Sequence, residues 1–117
     1  MHELAIADSV LTVVLGHAGE RRVTGVWVKV GHLRQVVPSA LEFSFELVCQ
    51  GTMAEGATLE IESISAAGEC RMCGAQSELP AFPLTCAACG SFDVNVIRGE
   101  ELVVDSVEID DAVMAQA

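Results

Sequence analysis

The sequence predicts an α+β fold: a small three-stranded sheet with two helices on one face, plus an inserted four-cysteine module. Three observations carry that expectation. Two segments repeat apolar residues at three- and four-residue steps, and three others are β-branched-rich or alternating. Between 66 and 99 neither periodicity survives, and Gly, Pro, Ser and Cys dominate instead. The length of 117 residues suits one ordinary small domain. The expected organisation is an α/β part over 1–65 and 100–110, a cysteine module over 66–99, and a tail over 111–117.

The first helix is expected from His2 to about Gly19. Leu4, Ala7, Leu11, Val14 and Ala18 form its apolar stripe, broadened by Ile6, Val10 and Val13. Glu3 and Asp8 lie toward its N-terminal end, where the helix dipole favours negative charge. Val23–Val30 reads as a strand with apolar bulk on both faces, as a central or covered strand would have. Pro38–Gln50 reads as the second helix, with Pro38 in its first turn and Gly51 ending it in the left-handed conformation. Its stripe is Leu41, Phe45 and Val48, with Phe43 and Leu47 alongside. Thr58–Ile64 and Glu101–Ile109 complete the strands.

Composition excludes several functions. Acidic residues outnumber basic ones 17 to 6, for a net charge of −11. A phosphate-binding surface needs clustered Lys and Arg, so no nucleic-acid partner is expected. No apolar run reaches the ~20 residues of a membrane span, and no basic segment leads a cleavage-site pattern. The expected setting is cytoplasmic, with no membrane partner. There is no His-Glu-x-x-His, no Gly-x-Ser-x-Gly and no phosphate loop, so no enzyme is expected. His17 and His32 are isolated and read as solvent-exposed.

Four of the five cysteines form Cys70-Arg71-Met72-Cys73-Gly74 and Cys86-Ala87-Ala88-Cys89-Gly90, with twelve residues, Gly74 to Thr85, between the pairs. Two residues between cysteines let one tight turn present both sulfurs to one metal. The glycine after each pair permits the turn that aims amides at the thiolates. Two such turns face to face make a tetrahedral four-sulfur site, so the module is expected to be zinc-ribbon-like. With all four positions filled by protein, Zn(2+) bound at Cys70, Cys73, Cys86 and Cys89 is structural. A rubredoxin-type iron site shares this spacing. Cys49 stands apart and reads as a small buried hydrophobe.

The chain opens Met1-His2-Glu3. A histidine at position 2 completes a fused chelate: the Met1 amine, the deprotonated His2 amide and the His2 imidazole close two rings on one ion. Nitrogen-rich, near-planar donor sets suit Ni(II) and Cu(II). Glu3 offers a fourth donor through its amide or carboxylate. A bulky second residue also disfavours removal of the initiator Met1.

Together these pieces resemble the HypA/HybF family of hydrogenase nickel-incorporation proteins. The residues that carry the resemblance are Met1-His2-Glu3-Leu4, the strand-ending Gly31, and the Pro38-led helix with Phe43-Ser44-Phe45-Glu46. Gly51-Thr52-Met53-Ala54-Glu55-Gly56-Ala57, the two cysteine pairs and the closing strand 101–109 follow in order. Ala87 and Ser65-Ala66 stand where prolines are common in the family, and neither change removes a ligand. The resemblance implies a nickel metallochaperone for [NiFe]-hydrogenase maturation. Ni(2+) would be cargo at Met1, His2 and Glu3, and zinc would sit on the four cysteines. The implied partners are the GTPase HypB and the hydrogenase large-subunit precursor. A monomer or weak homodimer is expected. A zinc-ribbon protein-interaction module with no nickel role is the alternative that the cysteines alone leave open.

Overall fold

The computed structural model describes residues 2–110; Met1 and the expected tail over 111–117 lie outside the described residues. The elements in chain order are α1 (His2–Ala18), β1 (Arg22–Gly31), a 3-10 turn (His32–Arg34), α2 (Pro38–Cys49), β2 (Thr58–Ile64), β3 (Ala67–Cys70), β4 (Gln76–Glu78), β5 (Val94–Arg98) and β6 (Leu102–Asp110). One three-stranded sheet has the order β2-β1-β6, which makes β1 central, as its two apolar faces predict. A second has the order β4-β3-β5 and was not legible in the sequence. No helix among the described residues is long and apolar enough to cross a membrane.

The chain divides into two compact units. The first takes its described residues from Met1–Val28, Val36–Glu62 and Val103–Ala117. Here α1 and α2 pack directly on each other. α1 buries Ala7, Val10, Leu11, Val14 and Ala18, and α2 buries Leu41, Phe45 and Cys49. The expected stripes need two corrections. Leu4 and Val13 are each 45% exposed, while Glu3 is buried on the helix-facing side. Phe43 and Leu47 face outward, while Cys49 completes the α2 stripe. Pro38 sits in the first turn of α2, and Gly51 takes φ 78° just past its end, both as expected.

The second unit comprises Lys29–Gln35 and Ser63–Leu102. β3 pairs antiparallel with β4 (Ala67 opposite Glu78, Glu69 opposite Gln76) and with β5 (Cys70 opposite Val94), with an irregularity between Ala67 and Gly68 on the β5 side. Gly68 is required by space: a Cβ there would run into Val94 and lie 3.0 Å from Leu79. The backbone at the end of β1 closes on the 99–101 segment. Gly31 N–H donates to the Glu101 carbonyl at 2.8 Å, and Leu33 N–H to the Gly99 carbonyl at 2.9 Å. A Cβ on Gly31 would collide with that Gly99 carbonyl.

Candidate metal sites

Each cysteine pair is built as a hydrogen-bonded turn. β3 delivers Cys70, whose N–H donates to the Ala75 carbonyl at 2.9 Å, and the chain reverses so that Gly74 N–H reaches the Cys70 carbonyl at 2.9 Å. The second turn repeats this geometry, with Cys86 N–H to the Ser91 carbonyl and Gly90 N–H to the Cys86 carbonyl, both at 2.8 Å. The reversal needs left-handed backbone at Gly74 and Gly90, and they take φ 77° and 79°. The amides inside each turn point at sulfur. Met72 and Cys73 N–H lie 3.4 and 3.5 Å from the Cys70 Sγ, and Cys89 N–H lies 3.5 Å from the Cys86 Sγ. Arg71 braces the first turn by pairing with Asp93 at 2.8 Å just ahead of β5.

The two turns bring the four sulfurs within 4.8 Å of one another, as the doubled spacing predicts. Cys70 and Cys89 Sγ are 3.6 Å apart, and Cys73 and Cys86 Sγ are 3.7 Å apart. A disulfide needs about 2.05 Å, so none of the four is disulfide-bonded. A tetrahedron with Zn–S bonds of ~2.3 Å has sulfurs about 3.8 Å apart. The donor set therefore fits a soft tetrahedral cation. Cys70 and Cys86 are buried, and Cys73 and Cys89 are exposed.

The electrostatics agree. The Cys73 N–H, with that of Met72 and the neighbouring thiols, pulls Cys70 down to about 6 against the burial that opposes it. The Cys89 and Ala88 N–H groups lower Cys86 in the same way. At Cys89 the Ser91 N–H lowers the pKa, but Cys70, burial, Cys73 and Cys86 outweigh it and push it up to about 12. A crowd of sulfurs ionises readily at first and resists losing its last proton; a bound dication would hold all four as thiolates.

The chain terminus is assembled differently. His2 is the first residue of α1, with its side chain 52% exposed, and its Nε2 lies 3.7 Å from the Glu3 carboxylate. The Glu3 Oε2 accepts the Val37 N–H at 3.1 Å. Val37 is the N-cap residue of α2 and has no side chain able to cap, so Glu3 serves the opening turns of both helices. That bond, with Glu3's own N–H and His2, holds the Glu3 carboxyl below its usual range despite some desolvation. The Met1 amine lies outside the described residues. Sequence reasoning gives Glu3 as a first-turn acid favoured by the helix dipole and as a ligand, and does not foresee its bond to Val37; the apolar steps run through Leu4 as readily as through Glu3, so periodicity gives no signal for it. His17 and His32 are exposed, and neither joins a metal-ligating cluster among the described residues.

Cys49 is 2% exposed at the end of α2, and burial pushes its thiol up to about 11. It behaves as the apolar plug that its position predicts.

Comparison with known proteins follows the same outline. The profile of the family described as "Hydrogenase/urease nickel incorporation, metallochaperone, hypA" matches residues 1–109. The hydrogenase maturation factor HypA of Geotalea uraniireducens is 46% identical over 110 residues, spanning 94% of this chain and 100% of that protein. The corresponding protein of Trichodesmium erythraeum is 36% identical over 111 residues, 95% of this chain and 97% of its own. The solution structure of the Ni metallochaperone HypA from Helicobacter pylori superposes with a TM-score of 0.67 at 22% identity, covering 92% of this chain and 96% of that one. At that identity it speaks for the fold.

Proposed function

This chain belongs to the HypA family of nickel-incorporation metallochaperones, and from that premise we propose that it carries Ni(II) on Met1, His2 and Glu3. The observation that supports this placement is the position of His2, exposed on the first turn of α1. The first four N–H groups of a helix have no acceptor within it, so the His2 amide can give up its proton to a metal without breaking α1. The imidazole and the Met1 amine then close the chelate. With its carboxylate held by Val37, Glu3 contributes through its backbone nitrogen. Such a site, at one end of the chain, loads and releases its ion while the core stays packed.

Zinc on Cys70, Cys73, Cys86 and Cys89 plays the structural part. In this reading the nickel function belongs to 1–65 with 100–110, and the zinc function to 66–99. The protein works in the cytoplasm as a monomer or weak homodimer. It exchanges nickel with the GTPase HypB and serves the large-subunit precursor of a [NiFe] hydrogenase.

Two substitutions separate the metals. His2→Ala is expected to abolish Ni(II) binding in a titration of protein with a free Met1 amine, while zinc content stays at one per chain. Cys73→Ser is expected to release zinc and loosen residues 67–98, with nickel still bound. Nickel retention by His2→Ala sinks the proposed chelate.

A further inference from the structure

Phe43-Ser44-Phe45-Glu46 is split by the fold: Phe45 is 1% exposed in the core, whereas Phe43 is 62% exposed. Leu47, one turn on, is 45% exposed. Together they make an apolar row along the open side of α2. A second row runs beside it, with Glu42 and Glu46 at the same four-residue step, both exposed. The second row borders a cleft of about 650 Å3. Glu55 and Glu60 line the same cleft, and the buried Phe45 and Leu59 contribute to its lining.

The carboxylates here are not ion-paired among the described residues. From Gln35 to Glu69 the chain contains no Lys, Arg or His, yet six glutamates. Among the described residues, Glu42, Glu46 and Glu60 have no ion-pair partner. Among the described residues the Glu55 carboxylate accepts the Gly51 N–H, and Arg22 reaches the Glu55 carbonyl rather than a carboxylate.

We propose that this face of α2 and its adjoining cleft dock a basic amphipathic segment of a partner protein. The segment would lay apolar side chains on Phe43 and Leu47, and would place Lys or Arg between Glu42–Glu46 and Glu55–Glu60. Paired rows at i and i+4 match the groove-and-helix mode of peptide recognition. Charge selects the occupant. A second copy of a chain carrying −11 would bring glutamates against glutamates, and an anionic lipid or nucleic-acid surface would be repelled. A bare cation would leave the apolar row uncovered. The inference does not rest on the nickel reading, because nickel enters neither the argument nor its test.

The test uses the full chain, 15N-labelled, and a synthetic helical peptide with one Leu face and one Lys face. A copy of the peptide with Glu for Lys is the control. Amide shifts are expected to concentrate in residues 38–60. The double change Glu42→Lys with Glu46→Lys is expected to weaken binding about tenfold, and Phe43→Ser with Leu47→Ser comparably, whereas the charge-matched Glu20→Lys with Glu100→Lys moves it less than about twofold. All six positions are exposed, and amide dispersion verifies folding in each variant. Equal weakening by both charge reversals would mean diffuse attraction and overturn the proposal. So would shifts centred elsewhere, equal binding of the Glu peptide, or self-association of the free chain through α2. The shift map of the unaltered protein decides location even if a variant misfolds.

Discussion

Glu3 shows how one side chain links the terminus to the core. It sits between a candidate metal-binding histidine and the uncapped start of α2, and its carboxylate is spent on the Val37 N–H. Sequence periodicity could not assign this. The same three- and four-residue steps run through Leu4, and only packing decides that Glu3 turns inward while Leu4 stays 45% exposed. The hydrogen bond depresses the Glu3 pKa from its ordinary 4.5. A depressed carboxyl stabilises the fold above the unfolded pKa, and that stability is lost as pH falls through the folded value. Glu3→Gln retains an acceptor for Val37 but removes the charge. Its melting temperature is therefore expected to fall less steeply than that of the natural protein as pH drops below 4.5. Parallel acid limbs in the two melting curves would show that the ionised Glu3 adds nothing.

At the scale of elements, what could be read depended on length and period. α1, β1, α2, β2 and β6 are long enough for their patterns to speak, and their bounds fall within a residue or two of expectation. β3 and β4 span only Ala67–Cys70 and Gln76–Glu78, too short for alternation to emerge from Gly, Ser and Glu, whereas β5, Val94–Arg98, is the β-branched-rich Val-Asn-Val-Ile-Arg and is masked inside a segment that reads as a cysteine module. Their register is fixed by the knuckle turns and by the space at Gly68. The cysteine cluster was legible because paired spacing at two turns is a geometric statement in itself. Within α2 the pattern gave the helix but not its orientation, since Phe43 and Phe45 read alike. The structure distinguishes them sharply. Phe45→Ala is expected to cost about 3–5 kcal/mol in denaturant unfolding, as for other fully buried aromatics. Phe43→Ala is expected to fall within about 0.5 kcal/mol of the natural protein, as surface changes do. Equal costs would mean that the exposed row is not exposed in solution.

At the scale of the whole molecule, the proposed function separates two metal chemistries by donor type. The sulfur cluster is closed, tetrahedral and built into a small sheet, which suits an ion that stays. The proposed terminal chelate would offer nitrogen donors, of which the His2 side chain is exposed, and this suits an ion that leaves. The acidic surface attracts cations in general but selects neither ion; selection belongs to the ligands. The proposed chelate would require the amine, the His2 and Glu3 amides and the imidazole all to be deprotonated, so mild acid is expected to release nickel first. The most direct test of the terminal chelate is nickel binding after acetylation of the Met1 amine, with unmodified protein in parallel. The account predicts about one Ni(II) per unmodified chain, loss of that binding on acetylation, and unchanged zinc. Nickel held equally well by the acetylated chain, or bound by displacing zinc from the four cysteines, would contradict it.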